Sequence, residues 1–143
     1  MTPQLLVDSY RRLTGRELVP EGLHGDKAAE WLDRAPFGLL AHDTATDPVV
    51  IYANQKAQTL FAYGDKGLLG LPSRLAAGTQ DQQSRQAFME SVLDKGYVDD
   101  YRGPRVRKDG TPFWIEDVTI WNLVDADGTL AGQAALIRRT TPA

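Results

Sequence analysis

Two long segments joined at Asp109-Gly110 constrain the fold of this chain more than any other feature of its sequence. Residues 97 to 124 are dense in aromatic and β-branched side chains, which favour strands, and an Asp-Gly pair between two such runs is a strong hairpin signal. A second turn, Asp125 to Gly128, leads into a third run from Leu130 to Arg138. Residues 97 to 138 are therefore predicted to form a three-stranded antiparallel meander.

The middle strand of this meander is apolar on both of its faces. Side chains alternate between the faces of a strand. One face then carries Phe113, Ile115, Asp117, Thr119, Trp121 and Leu123, and the other carries Trp114, Glu116, Val118, Ile120 and Asn122. A half-solvated antiparallel sheet would have one polar face. We therefore expect other parts of the chain to cover both faces partly.

The composition is that of a single soluble domain. A chain of 143 residues is long enough for one core that buries roughly two thirds of the unfolded surface. The net charge of −3 argues against a general nucleic-acid binder. The basic stretch Arg102 to Lys108 divides between two strand faces, so we interpret it as a solvated hairpin end and not as a phosphate-binding patch.

Cysteine is absent from the sequence. Disulfides, thiolate metal sites, cysteine nucleophiles and photochemistry that attaches a flavin to cysteine are therefore excluded. The apolar runs are short and no leader-like segment opens the chain, which predicts a cytoplasmic protein without a membrane span. A P-loop, a nucleophile elbow, a zinc-protease motif and a dinucleotide-binding glycine motif are all missing, so no catalytic residues are assigned.

The residues before the meander predict a helix, a helix, a strand, a strand, short helices and a longer helix. The first helix starts at Thr2-Pro3 and stops at Gly15, and the second is capped by Asp26 and ended by Pro36. The remaining predicted elements are strands Phe37 to His42 and Val49 to Ala53, a helix capped by Asn54 and running from Gln55 to Phe61, and a helix from a capping box at Thr79 to Gln82 through Lys95.

Several different short motifs lie along this order of elements. Val50-Ile-Tyr-Ala-Asn54, Leu68-Leu-Gly-Leu-Pro72, Arg107-Lys-Asp-Gly110, Phe113-Trp114, Asp125 to Gly128 and Gly132 together resemble the PAS domain over about Ala35 to Thr140. More narrowly, Leu71-Pro-Ser-Arg-Leu75, Asp99-Asp100-Tyr101-Arg-Gly103, Ile115-Glu116, Trp121-Asn122-Leu123 and Gly132-Gln-Ala-Ala135 resemble the MEKHLA domain. That PAS-related family is found alone in bacteria and at the C-terminus of some plant homeodomain transcription factors.

The resemblance implies an α+β fold, with a PAS-like five-stranded antiparallel sheet cupped by short helices and preceded by two N-terminal helices. Residues 1–34 would be an N-terminal helical extension that covers the sheet or a partner, and residues 35–143 would be the PAS-like domain. A cavity is expected between the sheet and the short helices.

Strand parity and the resemblance together suggest which side chains face this ligand cavity. The expected lining residues are Leu40, His42, Tyr101, Gly103, Arg105, Ile115, Asp117, Thr119, Ala134 and Leu136. Pairing across Asp109-Gly110 would place Arg105 opposite Ile115 and diagonal to Asp117. An isolated buried charge is costly, so these two side chains should pair. The pair either closes the core or anchors a small ligand.

His42 is a candidate haem ligand only in principle. The resemblance places a haem-binding histidine on the longer helix, and Gln80 to Lys95 contains no histidine. We therefore interpret His42 as a hydrogen-bonded strand residue. The sequence does not identify a cofactor, but it disfavours haem and cysteinyl-flavin. No metal site is predicted.

The outer face of the sheet is the expected association surface. Its residues would be Leu6, Tyr10, Trp31, Trp114, Glu116 and Val118. Trp114 must be covered by the first two helices, by a second copy, or by both, since exposed apolar sheet faces commonly mark association. The expected partners are a second copy or a separate effector protein, with no nucleic acid and no membrane.

Three functional hypotheses remain open from the sequence. The first is a non-enzymatic sensory or regulatory module that binds a small apolar or amphipathic ligand, mediates association between proteins, or does both. The second is a small enzyme that uses Asp117 and His42 as an acid and base. The third is a purely structural interaction module with a filled core.

Overall fold

The computed structural model places the two segments around Asp109-Gly110 side by side, as β3 (Tyr97–Val106) and β4 (Pro112–Val124). It describes residues 2–64, 67–77 and 82–143. The other elements are α1 (Pro3–Thr14), α2 (Gly25–Asp33), β1 (Gly38–His42), β2 (Val50–Ala53), α3 (Gln55–Leu60), a 3-10 helix (Ser73–Ala76), α4 (Gln82–Lys95) and β5 (Leu130–Pro142). The predicted order of elements is confirmed. Thr79 to Asp81 of the predicted capping box lie outside the described residues.

All five strands are antiparallel neighbours in one sheet of order β2-β1-β5-β4-β3. The predicted meander is therefore confirmed, and β5 joins its central part to β1. β5 continues past the predicted end at Arg138 because the start of β4 also pairs with it, as in Phe113 with Pro142. The fold is the expected α+β arrangement.

The predicted register of the β3–β4 hairpin is wrong. Arg105 pairs with Phe113 and Gly103 with Ile115, not with Ile115 and Asp117. The turn is closed by hydrogen bonds from the Arg107 amide to the Thr111 carbonyl and from the Gly110 amide to the Arg107 carbonyl. This centres the turn on Asp109, one residue earlier than expected, and displaces the cross-strand pairs from Val106 to Gly103 by two residues.

The side-chain alternation of β4 shifts by one residue at Asp117. Asp117 has a left-handed backbone with φ of 53°, a conformation that costs most residues free energy but suits aspartate better than most. Before it, Phe113 and Ile115 point to the helices α3 and α4, and after it Val118 and Ile120 do so. We call this position the Asp117 crease.

Because of the crease, the predicted faces of the second half of β4 are wrong. Thr119, Trp121 and Leu123 were expected on the cavity side and Val118 and Ile120 on the outer side. Trp121 and Leu123 instead pack with α1 and α2, whereas Val118 and Ile120 pack with the inner cluster. A single left-handed residue is enough for this reversal, because strand side chains alternate strictly between two faces.

The two faces of the sheet carry separate hydrophobic clusters. The outer cluster joins Leu6 and Tyr10 of α1 and Leu32 of α2 to Trp121 and neighbouring strand residues. The Tyr10 and Trp121 rings meet edge to face with centroids 4.9 Å apart. The inner cluster joins Phe61 and Val92 to Phe113, Ile115 and Val118. Residues of the predicted N-terminal extension thus cover the sheet.

The Asn54 side chain connects α2, β1 and α3 through hydrogen bonds. Its side-chain oxygen accepts hydrogen bonds from the amides of Leu39 and Ala57, both at 3.0 Å, and so caps α3 as predicted. Its nitrogen donates to the carbonyls of Leu32, at 2.9 Å, and Phe37, at 3.0 Å. The side chain is fully buried and all of its ordinary hydrogen-bonding capacity is used.

We expect Asn54→Ala to lower the free energy of unfolding by about 3 kcal/mol, because it removes a helix cap and leaves buried backbone groups unpaired. Chemical denaturation of both proteins measures the difference. The control is Gln55→Ala, which removes one exposed hydrogen bond to Asp33 and should change stability by no more than about 0.5 kcal/mol. Equal effects of the two substitutions would contradict the role given to Asn54.

Candidate functional site

A cavity of about 80 Å³ lies between the inner face of the sheet and the short helices. All five strands contribute to its floor and sides, and Phe61 just after α3, the 3-10 helix and α4 contribute to its roof. Its walls are mainly apolar. The lining residues are Leu40, Ala41, His42, Val50, Phe61, Ser73, Ala76, Phe88, Arg105, Ile115, Ile120, Gln133, Ala134, Ala135 and Ile137.

Arg105 is the charged member of this lining. Its Nη1 donates to the Pro104 carbonyl at 2.6 Å and to the Tyr101 hydroxyl at 3.4 Å. The guanidinium lies 5.6 Å from the centroid of the Tyr101 ring, which in turn lies 4.4 Å from the Phe88 ring. Gly103 permits this arrangement, because a Cβ at that position would collide with the Tyr101 ring.

Polar groups also come from β1 and β5. The His42 ring nitrogen Nδ1 lies 2.9 Å from the Asp43 carbonyl, as expected for a hydrogen-bonded strand histidine. Gln133 donates from Nε2 to the side-chain oxygen Oδ1 of Asn122 at 3.1 Å, and Asn122 donates from Nδ2 to the Val92 backbone carbonyl at 3.2 Å. This chain of amides connects the cavity floor to α4.

The structure brings together only part of the predicted lining. Leu40, His42, Arg105, Ile115 and Ala134 line the cavity. Tyr101 borders it through its contacts with Arg105 and Phe88, and Gly103 lies against the Tyr101 ring. The other three predicted residues, Asp117, Thr119 and Leu136, lie elsewhere. Leu136 packs in the outer cluster, and Thr119 is buried in a polar network described below. The Asp117 crease is the reason, since it reverses the faces of the strand beyond it.

The predicted ion pair between Arg105 and Asp117 is absent. Asp117 instead lies 3.9 Å from Arg138, and its side chain is 41% exposed. Asp117 and His42 therefore do not share the cavity, which removes the acid and base pair on which the enzyme hypothesis depended. The described residues contain no group of three or more histidine and acidic side chains that could hold a metal ion.

A polar network crosses the outer face beside the crease. Arg138 donates to the Asp117 carbonyl at 2.9 Å and to the Thr119 hydroxyl at 3.0 Å. Thr119 donates to Asp99 at 2.7 Å, and Arg16, just beyond α1, donates to the same carboxylate oxygen at 2.9 Å. We call these residues the Asp99 network. It fastens the end of α1 to the three long strands.

Desolvation opposes ionisation of Asp99, but hydrogen bonds from Arg16 and Thr119 outweigh it and lower the pKa of this carboxyl below its ordinary value.

The predicted association surface divides into two parts. Leu6 and Tyr10 are buried under α1, and Trp31 packs against the same outer cluster. Val118 is fully buried on the inner side, which corrects its predicted place. Trp114 and Glu116 remain on the outer face near the hairpin end, in neither cluster.

Trp114 and Glu116 are surrounded by arginines. The Arg102 guanidinium lies 3.9 Å from the Trp114 ring centroid, and its Nε lies 2.9 Å from the Glu116 carboxylate. Arg139 approaches the same carboxylate at 3.9 Å. Hydrogen bonds, chiefly from Thr141, and the neighbouring arginines lower the pKa of Glu116. We call Arg102, Trp114, Glu116 and Arg139 the outer patch.

Several residues that line the cavity were not predicted from the sequence. Ala76 and Phe88 lie on helices and Phe61 directly follows one, so no strand alternation pattern fixes their positions in the roof. Gln133 had a usable signal, because it is a lone amide within the apolar run from Leu130 to Ile137. An amide inside such a run is either satisfied by a neighbour or aimed at a ligand.

Solved structures of PAS and light-oxygen-voltage domains share this fold. The PAS domain of a protein from Colwellia psychrerythraea matches with a TM-score of 0.67 and 17% identity, over 80% of this chain and 92% of that chain. The light-oxygen-voltage domain of a blue-light activated histidine kinase from Erythrobacter litoralis matches with a TM-score of 0.59 and 22% identity, over 72% and 94%. An RNA-binding light-oxygen-voltage receptor matches with a TM-score of 0.67 and 24% identity, over 83% of this chain and 34% of that chain.

The fold is therefore that of PAS and light-oxygen-voltage domains. The family model of the MEKHLA domain matches residues 1–141, which include both N-terminal helices. This chain belongs to the MEKHLA domain family, as the sequence motifs suggested. No curated protein matches the sequence. None of the helices within the described ranges is long and apolar enough to cross a membrane.

The lowered pKa of Asp99 predicts a pH-dependent contribution to stability. Because its folded-state pKa lies below the unfolded value of about 3.9, the contribution is complete well above that value and is lost as the pH falls through the folded-state pKa. The stability difference between the wild type and Asp99→Asn should shrink from about pH 6 to about pH 3. Urea unfolding of both proteins at each pH measures it.

Arg16→Gln provides the second comparison for the Asp99 network. Because this substitution removes one of the two hydrogen bonds that lower the pKa, the difference between Arg16→Gln and the double variant with Asp99→Asn should depend less on pH. A wild-type difference that stays constant over the same pH range would contradict the account of Asp99.

Proposed function

We propose that this chain is a sensory or regulatory module that binds a small apolar or amphipathic molecule in its cavity and does not catalyse a reaction. The observation that carries the proposal is an apolar cavity, on the inner face of a PAS-type sheet, with a few polar groups in its lining. Such concave, mostly apolar sites with few polar groups are typical of ligand pockets. The separation of His42 from Asp117 supports the non-catalytic part.

The cavity dimensions favour a small ligand. Its volume of about 80 Å³ is well below the roughly 300–1,000 Å³ of pockets that hold drug-sized molecules. The absence of cysteine means that the residues do not fit a flavin bound through a thioether.

A ligand of this kind acts as a signal only through unequal binding to two states of the module. We propose that the second state differs in what the sheet presents to a separate partner or to a second copy. The outer patch supports this part of the proposal, because Trp114 is half-buried and lies outside both clusters.

The outer patch also has the charges that a two-fold pairing of identical chains needs. Glu116 is flanked by Arg102 and Arg139, whose side chains are 51% and 60% exposed. In an isologous interface each residue of one copy can meet its complement on the other. A second copy is therefore the partner that we propose for this face.

Filling the cavity should abolish ligand binding. Ala135 faces the cavity next to Ile137 and Leu40, so Ala135→Leu places three additional carbons in it. Native mass spectrometry of freshly purified protein should show a bound mass, lost on denaturation, in the wild type but not in this variant. Ala126→Leu, the same substitution in an exposed turn, should retain the bound mass.

Xenon completes this test when no ligand survives purification, since apolar cavities bind it. Methyl NMR under xenon should shift the signals of Ile115 and Ile137 in the wild type and leave them in place in Ala135→Leu. A bare mass together with unshifted wild-type methyl signals would mean that the cavity is part of a packed core, and the proposal would fail.

Removing Trp114 should weaken self-association. We expect Trp114→Ala to raise the dimer dissociation constant by about tenfold or more, because a central aromatic residue commonly contributes over 1 kcal/mol to an interface. Sedimentation equilibrium measures this constant, and Trp114→Phe should preserve most of the affinity. A monomeric wild type at high protein concentration, or an unchanged constant in Trp114→Ala, would exclude the outer patch as the dimer interface.

A further inference from the structure

Arg105 is the permanently charged side chain among the described residues that line the cavity, and no described carboxylate lies within ion-pair distance of it. Seven other arginines do have such a partner: Arg11, Arg16, Arg34, Arg74, Arg102, Arg138 and Arg139. Arg105 is half-buried, so water solvates it less completely than it solvates an exposed guanidinium. An anion in the cavity would therefore be stabilised by this side chain.

The hydrogen bonds of Arg105 leave part of its guanidinium unused. Both bonds to neighbouring groups, the Pro104 carbonyl and the Tyr101 hydroxyl, come from the same nitrogen, Nη1. A guanidinium has five N–H donors, and the Nε and Nη2 donors have no partner among the described residues. Nε–H and Nη2–H together form the edge that binds the two oxygens of a carboxylate in parallel.

The hairpin register and the Asp117 crease together explain why Arg105 has no carboxylate partner from β4. In the predicted register the Asp117 carboxylate would have neutralised Arg105 inside the cavity. In the structure that carboxylate lies by Arg138 outside the cavity. The apolar cavity thus contains a cation whose anionic partner is not supplied by the nearest strand.

The walls define the rest of the ligand. Leu40, Val50, Ile115, Ile120 and Ile137 present branched aliphatic side chains to the cavity, and Phe61 contributes an aromatic ring. These groups favour an alkyl tail and disfavour a second charge. The small volume limits the tail to a short chain.

We propose that the cavity binds a short-chain organic carboxylate, with the carboxylate on Arg105 and the alkyl tail against the aliphatic walls. This inference rests on the proposed function, because it names the ligand class of the same cavity. It adds a charge requirement that a purely apolar site does not have.

The test compares straight-chain carboxylates, from propanoate to octanoate, with primary alcohols of the same chain lengths. Methyl NMR of Ile115, Ile120 and Ile137 follows binding inside the cavity. Carboxylates should bind about tenfold or more tightly than the matched alcohols, as expected for hydrogen bonds to a charged group. Affinity should rise about fourfold for each added methylene until the cavity is full.

Arg105→Gln should reduce carboxylate affinity by about tenfold or more and leave alcohol affinity nearly unchanged. Arg105→Lys should give an intermediate affinity, because it keeps the charge and loses the two-donor edge. Arg107→Gln is the matched control, since it removes the same charge two residues away, from a side chain that stacks on Phe113 and does not line the cavity. It should bind carboxylates like the wild type. Unchanged methyl spectra of the ligand-free variants establish that each is folded.

The outcomes separate the two levels of the proposal. If carboxylates and alcohols shift the cavity methyl signals equally, and Arg105→Gln changes neither, the carboxylate inference is overturned while the proposed function stands. If no compound of either series shifts these signals, and xenon also leaves them in place, both are overturned. Carboxylate binding that Arg107→Gln weakens as much as Arg105→Gln would indicate general attraction to the basic hairpin and would also overturn the inference.

Discussion

The left-handed backbone of Asp117 decides what each face of the sheet contains. Without it, strict alternation along β4 would place Trp121 and Leu123 in the cavity and Val118 and Ile120 under the N-terminal helices. With it, the inner side receives Val118 and Ile120, whose aliphatic side chains are smaller than an indole. The larger Trp121 side chain is buried on the outer side against Tyr10. A cavity next to the sheet is possible because these bulky groups pack on the opposite side.

Asp117 also affects which arginines have an acidic neighbour on each side of the sheet. Arg138 and Thr119 meet at the crease and extend, through Asp99, to Arg16 at the end of α1. This network satisfies the buried Thr119 hydroxyl and fastens the helical cover to the strands. On the cavity side, Arg105 keeps its charge without a neighbouring acid. On the outer side, the Asp117 carboxylate therefore lies by Arg138. On the cavity side, no described carboxylate balances the charge of Arg105.

Much of the fold was predictable because turn and capping chemistry is local. Asp109-Gly110, Asp125 to Gly128 and Asn54 each act within a few residues, and each marked its element correctly. The register was not predictable, because an Asp-Gly pair fits loops of more than one length, and centring the turn on Asp109 moved Arg105 two residues along its partner. The crease also had no signal, since aspartate tolerates a left-handed backbone without requiring it, and the sequence offers Asp99, Asp100 and Asp117 equally.

β3 connects the two sides of the sheet over a few residues. Asp99 faces the network that holds α1, Asp100 has a left-handed φ of 56° and breaks the pairing with β4, and Tyr101 contacts Arg105 at the cavity. A carboxylate on the Nε and Nη2 donors of Arg105 leaves the Nη1 bond to the Tyr101 hydroxyl in place. Bulged positions of this kind leave a residue unpaired and interrupt the ladder, so Asp99 under the helical cover and Tyr101 at the cavity lie on either side of a break in the β3–β4 pairing.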